Sequence, residues 1–436
     1  MTPGDRSVPW ASALPPALKT RPIKYVVNFN PEALPEDTDP ELLIRYVDIS
    51  NVDSEGRIGN PEELRFGQAP SRARRVARIG DVIVSTVRTY LTAISRIPAD
   101  GITVSTGFAV LRPRATVDSR FLGYWMRSSY VIDEIVARST GVSYPAINPS
   151  EIGQLPVPTI DIDEQKGIAD FLDAEIAQID LLASAKENLI TLLSEKRKGI
   201  VSRGVIRGLA TRAPLRQSGI TWLREMPAHW ATKRAKWLFR ERDQRSTTGE
   251  EVLLSLRMDR GLVRHNDISE KKSRPEELIG YKRVSAGELV VNRMRAATGL
   301  IAVAPEDGLV SPDYAVFCPL PEVCAEYFAE LFRTELLQSV FRSRSKGLGT
   351  GSSGFLRLYS QEFLSIWLPY PTYSEQLDIV DGLRSETAEI DDLAIKARRS
   401  LDLLNEYRSA LITATVTRQI DVRTYRTQEA VAEISA

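Results

Sequence analysis

The feature that most constrains this chain is an internal repeat with a period of roughly 211 residues. The segment LPVPTIDIDEQ, which begins at Leu155, returns as LPYPTYSEQ, which begins at Leu368. The residues that follow also match, at Gln165, Ile168, Asp170, Leu172, Glu175, Ile179, Asp180 and Leu182 in the first copy and at Gln376, Ile379, Asp381, Leu383, Glu386, Ile390, Asp391 and Leu393 in the second. This period is too long for a solenoid or a propeller, so it indicates two copies of one module with pseudo-twofold symmetry. A partner with twofold symmetry suits such a chain, and duplex DNA is a common one.

Composition narrows the class of protein. The 436 residues are enough for two to four domains, and the two cysteines, Cys318 and Cys324, provide no disulfide framework. We therefore expect a reducing, cytoplasmic location, with no signal peptide and no membrane span. The 57 basic and 57 acidic residues balance. This balance argues against general affinity for nucleic acid but leaves room for local basic patches.

The repeat extends upstream into segments that are typical of short strands and helices. ARIGDVIVSTVR, ending at Arg88, corresponds to VSAGELVVNRMR, ending at Arg295, and both have β-branched runs bounded by turn residues. A helical stretch follows in each half, at 121–137 and at 326–342. Each half is therefore predicted to be a mixed α/β globule followed by a long helix.

The long helices are predicted from proline-free stretches with apolar residues at helical spacing. Read as heptads, the expected seam consists of Leu172, Ile179, Leu182, Leu193 and Ile200 in the first helix and Leu383, Ile390, Leu393, Leu404 and Leu411 in the second. Such a stripe must be buried, and the matching helix of the same chain is the natural partner. An apolar stripe is more often ordinary core or an oligomer seam, but two matched helices after matched globules favour an antiparallel pair that acts as a spacer.

The expected fold class is α+β, with two similar mixed α/β domains separated by a pair of long antiparallel coiled-coil helices. The expected boundaries are 1–160 for the first domain, 164–208 for the first helix, 209–371 for the second domain, 375–418 for the second helix and 419–436 for a C-terminal tail.

These segments resemble the specificity subunits of type I restriction–modification systems. The resemblance rests on LPVPTIDIDEQ, LPYPTYSEQ, the two helices and SGITWLREMPAHW (218–230), and it covers essentially the whole chain. The first half departs from the pattern, because it opens with the degenerate segment VPWASALPPAL (8–18). The start of the first domain is therefore its least defined boundary.

The resemblance implies a noncatalytic subunit. Each globule would be a target-recognition domain that reads one half of a bipartite sequence in double-stranded DNA. The helices would hold the two target-recognition domains apart and dock two methyltransferase (modification) subunits. Restriction/translocase subunits would join them. S-adenosylmethionine, ATP and Mg²⁺ would then be bound by the partner subunits, with no cofactor or metal in this chain.

The residues themselves offer little catalytic chemistry. The two histidines, His229 and His265, are isolated and make a poor metal or acid–base site. The Gly-rich segment KGLGTGSSG (346–354) lacks the Lys-Ser/Thr of a phosphate-binding loop, so it is read as a flexible loop. Asn148-Pro149-Ser150 is only a weak echo of an amino-methyltransferase motif, because the aromatic residue that would stack on a flipped base is missing.

Candidate DNA contacts are basic residues at strand ends and in loops, because Arg and Lys bind phosphates and base edges. They are Arg74, Arg75, Arg88, Arg257, Arg260, Arg293, Arg295, Arg344 and Lys346. Arg88 and Arg295 occupy the same repeat position and are the leading pair. The loops 139–144 and 347–354 precede the two LPxP segments equivalently and are further candidates. For each residue the competing interpretation is a solvated surface charge.

Two other classes of function remain open from sequence alone. One is a nuclease or methyltransferase whose catalytic residues are not evident from motifs. The other is a scaffold with two protein-binding modules, or a stand-alone DNA-binding protein without modification partners. Methyl transfer or cutting by the isolated chain would favour the enzyme, and an absence of sequence selection would favour the scaffold.

Overall fold

A computed structural model describes residues 18–142, 144–210, 212–269, 273–348 and 355–422. The chain divides into two compact units. Unit 1 comprises 1–187 and 399–436, and unit 2 comprises 188–398. The division falls inside both long helices, so each unit contains part of each helix. Residues 8–17 of the degenerate opening segment lie outside the described residues.

The described residues of unit 1 form ten strands and three short α-helices, followed by the start of a long helix. The strands are β1 (Thr20–Pro22), β2 (Val27–Phe29), β3 (Leu43–Val47), β4 (Glu62–Arg65), β5 (Ala73–Ala77), β6 (Val82–Ser85), β7 (Ile94–Arg96), β8 (Ile102–Ser105), β9 (Phe108–Pro113) and β10 (Pro156–Pro158). The helices are α1 (Ser119–Met126), α2 (Ser129–Arg138), α3 (Pro149–Gln154) and the long α4 (Ile162–Arg207), which continues into unit 2.

The strands of unit 1 form two four-stranded sheets and a two-stranded pair. One sheet has the order β2-β9-β6-β7 and is antiparallel throughout. The other has the order β4-β3-β8-β5, and its β3–β8 pairing is parallel. All four residues of β6 are buried, which fits a β-branched run covered on both faces. The LPxP strand β10 pairs with β1.

Unit 2 repeats this plan with additional hairpins. Its strands are β11 (Leu215–Ile220), β12 (Leu223–Pro227), β13 (Ala231–Arg234), β14 (Phe239–Arg242), β15 (Leu254–Arg257), β16 (Gly261–Arg264), β17 (Lys282–Val284), β18 (Leu289–Asn292), β19 (Ile301–Val303), β20 (Gly308–Val310), β21 (Tyr314–Pro319), β22 (Lys346–Leu348), β23 (Phe355–Arg357) and β24 (Trp367–Tyr370). Its helices are α5 (Pro275–Leu278), α6 (Ala325–Phe332), α7 (Glu335–Arg344), α8 (Ser360–Leu364) and the long α9 (Tyr373–Val416), which continues into unit 1.

The two units share their sheet topology. The order β14-β21-β18-β19 in unit 2 matches β2-β9-β6-β7 in unit 1. The pairs β15–β16 and β17–β20 match β3–β4 and β5–β8, and a parallel bridge between Leu253 and Leu309 replaces the parallel β3–β8 pairing. The expected α+β class and the internal repeat are therefore confirmed at the level of strand order.

Each predicted helical stretch after the sheet consists of two helices. In unit 1 the break between α1 and α2 falls at Arg127 and Ser128, and in unit 2 the break between α6 and α7 falls at Arg333 and Thr334. The Thr334 hydroxyl accepts a hydrogen bond from the backbone N–H of Leu337, so it caps α7. A hydroxyl residue with an extended backbone thus restarts the helix in both units.

The long helices run antiparallel within each unit. In unit 2, Arg197 of α4 pairs with Asp391 of α9 at 2.8 Å. In unit 1, Arg408 of α9 pairs with Asp180 of α4. The repeat converts one ion pair into the other, because Asp180 corresponds to Asp391 and Arg197 to Arg408. The predicted antiparallel pairing is therefore confirmed inside each unit.

One heptad position of the predicted seam is largely buried. The buried members are Leu172, Ile179, Leu193, Leu383, Ile390 and Leu411, and the half-buried members are Ile200 and Leu404. Leu182 and Leu393, which correspond in the repeat, are instead 53% and 43% exposed. Leu182 and Leu393 lie three residues after the buried Ile179 and Ile390. The position that faces the other helix lies four residues after each isoleucine, at Ala183 and Ala394.

The second heptad position mixes apolar residues with small, polar and charged ones, so hydrophobic patterning detects it only in part. Its members are Ile176, Ala183, Ile190, Arg197 and Gly204 in α4 and Thr387, Ala394, Leu401, Arg408 and Thr415 in α9. A β-carbon on Gly204 would lie 2.8 Å from Cδ2 of Leu383, so the helices pack tightly there. The Thr387 hydroxyl donates to the carbonyl of Leu383, which satisfies it inside the seam.

The ends of the helix pair belong to the core of each unit. In unit 1, Leu172 and Ile179 pack in one apolar cluster with Leu411 and with Trp125 of α1. In unit 2, Leu383 packs in one cluster with Phe328 of α6. The helices are thus built into the two cores and are not attached only through flexible linkers.

The glutamine of each repeated EQ pair ties its long helix to the adjoining domain. The side-chain oxygen of Gln165 accepts from the backbone N–H of Asp118 at 2.9 Å, and its amide donates to the carbonyls of Ile160 and Thr116. Gln376 makes the same three kinds of bond, with the N–H of Cys324 and the carbonyls of Pro371 and Glu322. Both side chains are buried. The same hydrogen-bond network in both units explains why the glutamine recurs in both copies of the repeat.

Replacing Gln165 with alanine is expected to lower the free energy of unfolding by about 2 kcal/mol, because it leaves buried backbone groups without their partners. Urea unfolding followed by circular dichroism would measure the change. Lys166→Ala is the matched control, since Lys166 is exposed and only forms an ion pair one turn away. Equal losses in the two variants would contradict the role given to Gln165.

Candidate nucleic-acid interface

In unit 1, two of the four arginines in the basic run 71–78 form ion pairs within the protein. Arg72 lies 2.7 Å from Asp48, and Arg78 lies 2.7 Å from Glu32. Neither arginine is free of internal partners. This part of the run therefore matches the interpretation of a structural charge cluster.

The two candidates in the middle of that run have different surroundings. The guanidinium of Arg74 lies over the ring of Phe66, 4.4 Å from its centre. Arg75 is half-buried, and its Nη1 atom is buried without a hydrogen-bond partner. Burial lowers the pKa of Arg75. An unsatisfied buried donor of this kind favours an anionic or carbonyl ligand near the strand β5.

Arg88 contacts Tyr144, the last residue of the candidate loop 139–144, and the adjoining Pro145, while Ser143 lies outside the described residues. The backbone N–H of Arg88 donates to the carbonyl of Pro145 at 2.7 Å, and its guanidinium lies 5.0 Å from the ring centre of Tyr144. Arg88 has a left-handed backbone, with φ of 51°. Tyr144 is 66% exposed, and Val142 is fully exposed. An exposed aromatic ring beside a cation is a surface suited to a nucleic acid.

Arg295 holds the equivalent position in unit 2 but not the same conformation. It is exposed, and its φ is −124°. It precedes a short 3₁₀ turn, Ala296–Thr298, that ends at Gly299. The strand β18 before Arg295 matches the strand β6 before Arg88, but the loops that follow the two strands differ in backbone conformation. Such divergence on a common frame suits two units that contact different targets.

Two further candidates lie at the tip of the β15–β16 hairpin. Arg257 ends β15 and is exposed. Arg260 is exposed and lies 3.2 Å from the carboxylate of its neighbour Asp259. Met258, in the same tip, is 55% exposed. An ion pair between two exposed neighbours is weak, so Arg260 remains available to another partner.

The remaining candidates of unit 2 converge on one place. Arg344, at the end of α7, donates to the Ser365 hydroxyl at 2.7 Å, and Lys346, which begins β22, lies 3.6 Å from Glu362. Arg293 follows β18 and donates to the carbonyl of Tyr314 at 3.2 Å. The Gly-rich loop that follows Lys346 lies outside the described residues over 349–354.

The sequence did not identify the other side chains around Arg293 and Lys346. An open cleft is lined by Glu241, Arg293, Lys346, Tyr359, Ser360, Gln361 and Glu362. Glu241 comes from β14, and Tyr359 and Glu362 lie just before and within α8, so both elements are separate from the strand β18 that precedes Arg293. No motif joins them, because only the fold of unit 2 brings them together.

The histidines are placed apart and have structural partners. The His229 ring lies 3.1 Å from the carboxylate of Glu375, and His265 lies 2.9 Å from the Ser255 hydroxyl. Across the described ranges, no group of three or more His, Cys, Asp or Glu side chains could hold a metal ion. Asn148 stands immediately before α3, where Pro149 is the first helical residue. No helix in the same ranges is long and apolar enough to cross a membrane.

Comparison with known proteins gives a consistent set of relatives. The chain is 22% identical over 318 residues to the type I restriction enzyme EcoKI specificity subunit of Escherichia coli (strain K12), a match that covers 70% of this chain and 66% of that protein. It is 27% identical over 112 residues to the type I restriction enzyme StySPI specificity subunit of Salmonella potsdam, covering 26% of this chain and 24% of the relative. The chain thus spans somewhat less than two thirds of the length of the first relative. No protein-family model matches the chain.

A solved structure shares the fold. It is described in the words "Structural basis underlying complex assembly and conformational transition of the type I R-M system", and it matches with a TM-score of 0.66 and 20% sequence identity. The match covers 92% of this chain and 98% of that chain. The resemblance that the repeated segments predict is therefore confirmed in sequence, and the fold is confirmed in structure.

Proposed function

We infer that this chain is a specificity subunit of a type I restriction–modification system, which reads a bipartite sequence in double-stranded DNA. The proposal rests on one observation: the two units share a backbone architecture but carry different side chains on their surfaces. Strand order, the helix ion pairs and the buried glutamines recur in both units. Arg88 and Arg295 recur at equivalent positions, but their backbone conformations differ, and the guanidinium of Arg88 lies over the ring of Tyr144. A repeated frame with different tips is what an asymmetric target requires of a reader with two half-sites.

The helices supply a repeated surface for a partner that binds twice. Leu182 and Leu393 are exposed equivalents, and so are Leu192 and Leu403. Exposed leucines at matched positions suit two copies of one protein subunit. We assign these surfaces to two methyltransferase (modification) subunits, which restriction/translocase subunits join. S-adenosylmethionine, ATP and Mg²⁺ belong to those partners, and this cytoplasmic chain performs no chemistry itself.

Co-expression tests the proposal. The chain is produced together with a candidate adenine methyltransferase subunit from the same genome, in a host that lacks this methylation, and native DNA is sequenced for modified adenines. The expected result is methylation of one bipartite motif that requires both proteins. The isolated chain with DNA, Mg²⁺ and S-adenosylmethionine is expected to neither methylate nor cut.

Other outcomes separate the alternatives. Methylation or cutting by the isolated chain would identify an enzyme. Sequence-selective DNA binding without any effect on methylation would identify a stand-alone DNA-binding protein, and binding without selection would indicate a scaffold. The relatives do not favour these alternatives, since both are specificity subunits.

A further inference from the structure

The cleft around Arg293 has a composition that points to a particular kind of ligand. Its volume is about 560 Å³, and it is open to solvent and mainly polar. Glu241 comes from β14, Arg293 follows β18, and Tyr359 precedes α8. Three elements of unit 2 therefore bring an acceptor, a donor and an aromatic ring to one place.

Arg293 and Glu241, one basic and one acidic residue of the cleft lining, do not form an ion pair with each other. Arg293 donates one hydrogen bond, to the carbonyl of Tyr314, and its Nε atom is buried without a partner. Glu241 accepts one hydrogen bond, from the Ser360 hydroxyl at 2.7 Å. Among the ion pairs of the described residues, none includes Arg293 or Glu241. The cleft thus retains one cationic donor and one anionic acceptor for an external ligand.

The carboxylates argue against a phosphate as that ligand. Glu241 carries an unpaired negative charge, and Glu362 adds a second one that Lys346 and Arg344 partly balance. A phosphate would be repelled by both. A base pair instead offers acceptors and donors side by side, since guanine presents O6 and N7 and cytosine presents its N4 amino group in the major groove.

The same place in unit 1 lacks this chemistry. The pairing of β2 with β9 and of β14 with β21 makes Phe29 the counterpart of Glu241. The hydrogen bonds of Ile147 to the Thr86 carbonyl and of Leu358 to the Arg293 carbonyl make Thr86 the counterpart of Arg293. An apolar ring and a hydroxyl therefore stand where unit 2 has the two charges. A feature confined to one unit is expected of a residue set that distinguishes two half-sites.

We propose that this cleft reads a G·C base pair in the half-site bound by unit 2, with Arg293 donating to the guanine and Glu241 accepting from the cytosine amino group. The proposal rests on the proposed function and adds to it the base pair and the residues that read it. Tyr359, whose ring lies 5.9 Å from the guanidinium of Arg357, forms the aromatic wall of the cleft.

Half-site-resolved methylation tests this assignment. The chain is assembled with its modification subunits, and duplex libraries randomised through either half-site serve as the probe. Arg293→Lys keeps the charge and removes the two-pronged donor, and Glu241→Gln keeps the shape and removes the charge. Each variant is expected to lose about 10- to 100-fold in discrimination at one G·C position of one half-site. The other half-site, read by unit 1, is expected to remain unchanged.

The control is Arg245→Gln, which changes an exposed arginine of unit 2 that does not line the cleft and that pairs with Asp243. It is expected to leave the motif unchanged. A uniform loss of affinity with a smaller salt dependence would show a phosphate contact and overturn the assignment. An unchanged motif in both variants would overturn it too, while methylation of a bipartite site would leave the proposed function standing. Glu241→Gln keeps the test valid if Arg293→Lys proves unstable.

Discussion

Asp180→Asn is expected to lower the free energy of unfolding by roughly 3 kcal/mol, several times the loss expected for the equivalent variant Asp391→Asn. The two aspartates occupy the same repeat position and pair with equivalent arginines. They differ in burial, because Arg408, the partner of Asp180, is 4% exposed, whereas Arg197, the partner of Asp391, has a side chain that is 42% exposed.

The two expected losses differ because of the arginine charge that remains when the aspartate is neutralised. Without Asp180, the guanidinium of Arg408 stays buried with its Nε already unpartnered. Burial already lowers the pKa of Arg408, and Arg57 lowers it further by repulsion. Glu55 and Asp53 nearby offset only part of this cost. Without Asp391, Arg197 turns to water at little expense, so the expected loss is about 0–1 kcal/mol.

Urea unfolding of both variants at low and at high salt, followed by circular dichroism of the helices, measures the contrast. High salt should reduce the small effect at Asp391 and leave most of the effect at Asp180, because buried pairs are screened less. Similar losses in the two variants would mean that burial of Arg408 does not decide the strength of the pair.

The repeat and the fold class follow from sequence because they depend on patterns that sequence records directly. Leucine and isoleucine at one heptad position predict the helix pair, and the matched segments around Arg88 and Arg295 predict the common sheet. The second heptad position is only partly predictable from hydrophobic residues. Ala183, Gly204 and Thr387 are small or polar, and they are buried or tightly packed because two helix backbones approach closely there.

The candidate DNA-contact residues are harder to predict from the sequence than the fold is. Basic residues can be found by inspection, but their partners decide whether they are free. Arg72 and Arg78 are paired within unit 1, whereas Arg293 makes no ion pair among the described residues. Glu241 lies 52 residues before Arg293 and has no motif around it. The repeat did contain one indication of Glu241, because Phe29 holds the equivalent position in unit 1 and the two side chains differ in chemistry.

Deleting Lys186–Leu192 together with Lys396–Asp402 is expected to shorten the unread spacer between the half-sites by about three base pairs. The proposed function makes the helix pair the element that sets this distance. Seven residues of helix span about 10 Å, and base pairs are stacked about 3.4 Å apart. The half-site sequences should stay the same, because the deletion leaves both sets of reading residues in place.

The choice of segments follows from the antiparallel register. Lys186 lies six residues after Asp180, and Asp402 lies six residues before Arg408. Removing one heptad from each helix therefore retains both ion pairs and keeps the buried stripe in phase. Deleting Lys186–Leu192 alone would shift one helix against the other and is expected to unfold the pair, which provides the control for register.

Methylome sequencing of cells that express the double-deletion variant, together with binding to duplexes whose spacers differ in length, measures the outcome. Circular dichroism establishes that the shortened helices are folded. A folded variant that still requires the original spacer would show that the helices do not set the distance between half-sites. A spacer shorter by about three base pairs, with both half-sites unchanged, would show that helix length and base recognition are separate properties of this chain.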